Sequence, residues 1–270
     1  MRRRREQGIA LIAVLWMLVL LSIVAAALSL ETRSSTRVAR NMAENAAARA
    51  AADAGVQRAL LDLESVATGD KAKFRADGTV YDWQFANAKV RISVHDEAGK
   101  IDLNQAPEPL MVALFTSVGV DPAKAQALAD AIADFRDPDN LRRLSGAELS
   151  DYRDAGLNWG PKNAPFQAVE ELQQVFGMTP ELYSRVAPDL TVYSVATTLP
   201  MAADQRMSGL LRKAGITTQS PPSSPGLAFS IRAEAKSPNG GVFVREAIVQ
   251  PNPDRPIPWI LSWRQGAPKT

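Results

Sequence analysis

The sequence predicts an α+β fold in which a long N-terminal α-helix packs on an antiparallel sheet, and the sheet is interrupted by a mostly α-helical inserted domain. Three observations carry this expectation. No proline occurs before Pro107, and residues 9–66 read as one helical stretch. Strand-like runs occur at 80–94 and return at 227–263. Between them, residues 96–193 carry helical spacing and helix starts. The apolar content of 46% supplies a core for one or two compact units.

Residues 9–30, IALIAVLWMLVLLSIVAAALSL, form an uncharged apolar run behind the basic leader MRRRREQG at 1–8. About 20 apolar residues at 1.5 Å each match a bilayer core of roughly 30 Å, so the run is expected to be a transmembrane helix. It is too long for the apolar region of a cleaved secretory signal, and the plausible processing site, Gly8 and Ile9, lies on its near side. Arg2 to Arg5 place that end in the cytoplasm by the positive-inside rule. The bulk of the chain is then expected outside it, anchored by a single pass.

Residues 31–68 continue the helix, with alanines at 46–48, 50–52, 54 and 59 keeping it thin and Val56, Leu60, Leu61 and Leu63 forming an apolar stripe. From Ile9 to about Val66 the rod would measure about 85 Å; two helices broken at the membrane surface are the alternative. Residues 69–95 form the first part of the sheet domain, with strands at Val80 to Phe85 and Lys89 to Val94 around Ala86-Asn87-Ala88.

In the insert, 96–193, Leu110, Leu114 and Val118 mark a first helix and Asp121-Pro122 opens a second, with the aspartate as N-cap and proline at N1. Further helices are expected at Gln167 to Val175 and Glu181 to Val186. The segment 194–226 connects, with one short helix at Ala203 to Ala214 and a linker-like SPPSSPG at 220–226. Residues 227–270 hold the remaining strands, Leu227 to Lys236 and Gly241 to Gln250 around the turn Ser237-Pro238-Asn239-Gly240, then Trp259 to Trp263.

Composition narrows function. The formal charge of +2 mixes acids and bases evenly and gives no general nucleic-acid surface. No cysteine is present, which excludes disulfides and thiolate metal sites, and the single histidine, His95, excludes a His-rich zinc site. His95 reads as an ordinary sheet-edge residue rather than a catalytic base. Many acid pairs exist, but no motif selects one for catalysis, so no enzyme activity is expected.

Asp134, Asp137, Asp139, Asn140, Glu148, Asp151 and Asp154 crowd one segment with breakers at Pro138 and Gly146. Calcium takes 6 to 8 oxygen ligands and favours carboxylates on irregular backbone. Asp137, Asp139 and Glu148 fall at positions 1, 3 and 12 of an EF-hand loop, while Leu141 at position 5 and Arg142 at the glycine position break that pattern. On the residues alone, a solvated acidic loop neutralised by Arg136, Arg142, Arg143 and Arg153 is the stronger reading.

A basic leader, a glycine and a hydrophobic helix resemble the class III signal of type IV pilins and pseudopilins. With HDEAGKIDLNQAP, IADFRDPDN, SGAELSDY and NAPFQAVEELQQVFGMTPELYSRVAPDLTVYS, the chain resembles the K pseudopilin (GspK) family of type II secretion systems, over most of its length. Most pilins carry a glutamate at the fifth position of the mature helix, where this chain has Ala13; its absence matches the K family, whose members resemble a fibre's tip subunit.

The resemblance implies a pilin-like fold and a minor pseudopilin that nucleates and caps the pseudopilus with the I and J minor pseudopilins, and through them meets the major pseudopilin. It also implies trimming by a prepilin peptidase, residence in the inner membrane with a periplasmic domain, and calcium in the insert. Asp137, Asp139, Glu148 and Asp151 are the preferred calcium ligands, though Leu149 stands where the family often has an acid. Two alternatives remain. One is a minor pilin of a type IV pilus-like system; the other is a membrane-anchored helix-hairpin-helix-like DNA-binding protein, disfavoured because VGVDPAK offers Asp121 where a bare amide cradle is wanted.

Overall fold

The computed structural model describes residues 3–67, 73–193, 205–216, 228–250 and 258–268, and the side chains of all of these except 3–10, 26–34, 66–67 and 205–206. Helix α1 runs unbroken from Arg3–Ala67, a rod of about 100 Å at 1.5 Å per residue. The alternative of two helices with a break at the membrane surface is therefore not what forms.

Strands β1 (Asp77–Phe85) and β2 (Ala88–Asp96) make a hairpin whose tight turn puts Ala86 at φ 50°. After a 3-10 turn at Glu97–Gly99 come β3 (Ile101–Asp102) and the helices α2 (Glu108–Ser117), α3 (Pro122–Arg136) and α4 (Leu149–Asp154). Asp121 caps α3 as its position predicts, its carboxylate accepting from the Ala123 amide at 2.9 Å. The helical stretch expected at 167–175 forms as a 3-10 helix, Val169–Gln174. Then follow α5 (Pro180–Val186), β4 (Leu190–Thr191), α6 (Gln205–Lys213) and the strands β5 (Phe229–Lys236), β6 (Val242–Gln250) and β7 (Trp259–Gln265). The linker-like 220–226 lies outside the described residues.

The sheet order is β1-β2-β5-β6-β7, antiparallel throughout, so the insert leaves after β2 and the chain returns to pair β5 directly against β2. The parallel pair β3-β4 closes the insert at its root. One face of the sheet lies on α1 through Val90, Ile92, Val94, Ile231, Ala233, Ala247 and Val249, all buried. The helix meets them with Ala48, Ala51, Ala52, Val56, Ala59 and Leu60, spaced to share one side of a 3.6-residue turn. A Cβ at Gly55 would stand 2.9 Å from both Ala233 Cβ and Val90 Cγ1, so helix and sheet touch backbone-close there. Arg245 fastens the same face, its Nε donating to Asp53 at 2.6 Å with the guanidinium over Phe243 and Trp263.

The insert has its own core around Leu110, Leu114, Phe115, Ile132, Phe135, Tyr152 and Leu172, into which Leu210 and Leu211 of α6 also pack. The sheet face away from α1 is polar. Across it runs an alternating chain of charges: Arg91 to Glu234 at 2.5 Å, Glu234 to Arg232 at 3.6 Å, Arg232 to Glu246, Glu246 to Arg264 at 3.2 Å, and Arg264 to Glu170 of the insert. His95 sits on β2, an inner strand, not at the sheet edge expected for it, and borders a cavity of about 590 Å³ between that face and the insert.

Candidate functional site: the acidic loop of the insert

The loop between α3 and α4 is built from carboxylates that receive its backbone. Asp130 and Asp134 stand one helical turn apart on α3, and both are buried. Asp130 accepts from the Ser145 amide at 3.0 Å, and Asp134 accepts from the Arg143 amide at 3.2 Å and 3.3 Å. These bonds sew residues 143–145 back against the helix. The approach is so close that a Cβ on Gly146 would lie 1.9 Å from Asp134 Oδ2, so any side chain here would have to push that carboxylate off its amides. Asp139 accepts from the Leu141 amide at 2.8 Å, and Asn163 donates from Nδ2 to the Asp139 carbonyl at 2.9 Å and to Asn140 Oδ1 at 2.8 Å.

Two arginines answer the charge. Arg143 reaches Asp134 Oδ1 through Nε and Asp137 Oδ2 through a terminal nitrogen, both at 3.3 Å. Arg142 pairs with Asp151 at 2.9 Å. Asp151 also accepts the Glu148 amide at 2.8 Å as half of a capping box, and that bond, ahead of Arg142, holds its carboxyl below the ordinary range. The other half is poorly made: the Asp151 amide bonds the Glu148 carbonyl at 2.9 Å, and neither Glu148 carboxylate oxygen completes a hydrogen bond, although the residue is only 6% exposed. Asp137 Oδ1 and Asn163 Oδ1 are likewise buried without a partner.

Burial first, and then repulsion from Asp134, Asp137 and Asp139, push the Glu148 carboxyl up. Asp134 is raised as well, by burial and by Asp137. Stability contributed by such groups is present below the ordinary carboxylate range and lost as pH rises through their raised values. Amides of 143–148 should therefore exchange more slowly at about pH 5 than at about pH 7 in chelator, after correction for intrinsic rates. Equal protection at both pH values in chelator would contradict this.

Of the four acids selected from sequence, the fold brings Asp137, Asp139 and Glu148 into mutual electrostatic range and commits Asp151 to a cap and an arginine. Sequence reasoning left Asp134 out of the preferred set and did not reach Asn163, which lies 24 positions after Asp139 and meets it through a left-handed turn at φ 51°. Among the described residues, no group of three or more acids or histidines is arranged to hold a metal ion as it stands. The donor types nevertheless fit a hard cation, because orphaned buried carboxylate and amide oxygens are what calcium satisfies. Asp137, Asp139 and Glu148 would hold it, with Asn163 as a neutral oxygen donor.

A second feature lies at the other end of the chain. Along α1, Leu11, Ile12, Leu15, Trp16, Leu18, Leu20, Leu21 and Ile23 project into open space, Leu11 at 74% and Trp16 at 70% exposure. Ala13 is exposed among them. The side chains described in this run are those of 11–25, and among the described residues no helix is long and apolar enough to cross a membrane. Gly8 and Ile9 belong to α1 by backbone, and their side chains lie outside those described.

Residues 93–195, which contain the acidic loop, match the family of type II secretion system protein K. The chain is similar to a putative type II secretion system protein K of Escherichia coli strain K12, 26% identical over 204 residues, 69% of this chain and 62% of that protein. A type II secretion system protein K of Dickeya chrysanthemi is 35% identical over 82 residues, 30% of this chain and 22% of that one. The chain thus spans less than two thirds of these relatives' length. In fold it resembles a chain from the crystal structure of the GspK-GspI-GspJ complex of enterotoxigenic Escherichia coli, with a TM-score of 0.60 at 16% identity, covering 88% of this chain and 100% of that one.

Proposed function

We propose, from the premise that residues 93–195 are a protein K domain of the type II secretion system, that this chain is a minor pseudopilin, a structural part that begins and caps the pseudopilus. The observation that carries the reading is the position of that domain: it interrupts a helix-on-sheet body between β2 and β5, at the opposite end of α1 from the apolar run. A mass that adds no helix of its own to a fibre core, yet widens the head of the subunit, suits an end position better than a repeated one.

The remaining parts follow from the same reading. Eight or more large apolar side chains exposed on one helix are too costly to leave in water at about 25 cal/mol per Å². The inner membrane covers them first, with the N-terminus cytoplasmic and the head periplasmic, and neighbouring subunits cover them later. A prepilin peptidase would cut between Gly8 and Ile9. Ala13 leaves no carboxylate to engage the amine of a subunit ahead, which agrees with a tip. The partners would be the I and J minor pseudopilins, then the major pseudopilin. Calcium would be held in the acidic loop.

The test is copurification of the full chain, in detergent, with coexpressed I-type and J-type pseudopilins of the same secretion locus. A stable ternary complex is expected from wild type, and Gly8→Val should keep the leader uncut and abolish export of secreted proteins. No complex with either partner, or normal export without this gene, would overturn the assignment.

A further inference from the structure

We propose that Arg143 is a built-in counter-ion that occupies the acidic loop in place of a divalent cation, so that calcium binds only by displacing it. The inference rests on the calcium reading above and adds to it a competitor supplied by the chain itself. Three observations carry it. Arg143 is bound twice from one guanidinium, to Asp134 and to Asp137, each at 3.3 Å, longer than the 2.7–2.9 Å of a strong ion pair. Its head is nearly half exposed while Asp134 is wholly buried, so the arginine can swing into water at little cost whereas the acid cannot. Beside the pair, Glu148 is buried with both carboxylate oxygens lacking a completed hydrogen bond, within electrostatic range of Asp134, Asp137 and Asp139.

The charge count explains why one arginine is an incomplete answer. Asp134, Asp137, Asp139 and Glu148 present four carboxylates, and Arg143 is the cation paired to the first two; Arg142 is turned to Asp151. A guanidinium donates in one plane and cannot reach oxygens on several sides. A calcium ion is small and takes oxygens from all directions. Each state is therefore viable: the arginine keeps the loop folded when calcium is scarce, and the ion satisfies the orphaned oxygens when it is present. Loss of the arginine at the moment of binding frees a cationic side chain at the loop surface, flanked by Leu141 at 78% and Leu144 at 97% exposure. The exchange thus changes the charge the loop shows to its surroundings.

The experiment is calorimetric titration of calcium chloride into the full chain in detergent, comparing wild type, Arg143→Gln and, as a charge-matched control, Arg153→Gln, with thermal melts of each in chelator and in calcium. Displacement taxes affinity by the fraction of molecules in which the site is free, so Arg143→Gln should bind about tenfold or more tightly, and Arg153→Gln should bind like wild type. Arg143→Gln should melt below wild type in chelator, and calcium should close or reverse that gap. Equal affinity in wild type and Arg143→Gln overturns the displacement while leaving calcium binding intact, as does a melting deficit of equal size with and without calcium. An equal gain in both arginine variants reduces the effect to general charge and also overturns it. No calcium heat in any of the three proteins removes the calcium reading itself, and the displacement with it.

Discussion

Phe135→Ala is expected to cost about 3–5 kcal/mol and to unfold the insert before the sheet. The ring lies in the last full turn of α3, 1% exposed, and stacks on Phe166 with centroids 4.9 Å apart and planes at 19°. It joins α3 to the segment that returns past the acidic loop, and its carbonyl accepts the Asn163 amide at 3.0 Å. Alanine leaves a cavity that neighbours fixed on two different segments cannot collapse to fill. The buried set around Phe135 and the buried set between α1 and the sheet have no member in common, so damage to one should not spread fully to the other. Hydrogen exchange read by mass spectrometry should lose protection over 110–135 while 231–249 keeps it. A melting temperature within a degree or two of wild type would refute the packing argument, and uniform loss across both regions would refute the independence of the two cores.

Asp62→Ala should cost about 2–4 kcal/mol, the largest effect expected of any polar side chain on α1. Asp62 is 3% exposed near the end of the helix, and its carboxylate accepts the Lys73 amide at 2.9 Å and 3.1 Å and the Phe74 amide at 2.8 Å. These bonds hold Lys73 and Phe74 against the end of α1, and they seat Phe74, buried and edge-on to Tyr81 at 5.0 Å. Removing the acceptor strands two amides and releases the aromatic pair. Asp62→Asn keeps one oxygen of the same shape and should recover roughly half the loss. Thermal melts of the three proteins decide it. If Asn and Ala are equally harmful, the charge rather than the acceptor geometry does the work; if both are harmless, Lys73 and Phe74 are held against α1 by something else.

Neither effect was visible from the sequence. Asp62 reads there as one more acid on a helix, because its partners lie 11 and 12 residues on. The elements that were legible are those whose signals are local. The long helix follows from an unbroken proline-free stretch, and α3 starts where Asp121-Pro122 says it should. Both hairpins fall within a few residues of expectation because alternating apolar residues end at turn formers. The 3-10 form of the expected stretch at Val169–Gln174 and the short helix Leu149–Asp154 were not legible, since both owe their form to packing on the insert core rather than to length or propensity.

For the acidic loop, composition showed the cluster, and the family resemblance singled out Asp137, Asp139, Glu148 and Asp151, the first three of which lie within electrostatic range in the fold. The fold sets Asp151 apart from them, accepting the Glu148 amide and pairing with Arg142, because what a carboxylate meets at the start of a helix depends on which way α4 points. Composition also could not say which of four nearby arginines answers which acid. Arg143 and Arg142 are adjacent in sequence, yet they pair with different carboxylates on either side of the loop.

By itself the sequence determined the kind of body this is: a long helix with an apolar run after a basic stretch, a small-residue stripe for a sheet, and a helical block set between strands. Those features depend on periodicity and on the presence or absence of a few residue types, which act over one or two turns of chain. The tertiary structure decided that β5 returns to β2 across the whole insert, that an ion pair ties the insert to the outer sheet face, and that Glu148 is buried without a completed hydrogen bond near three other acids. Each of these is a meeting of groups far apart in sequence, and the free energy of such a meeting is set by desolvation and geometry at the point of contact, which no local pattern encodes.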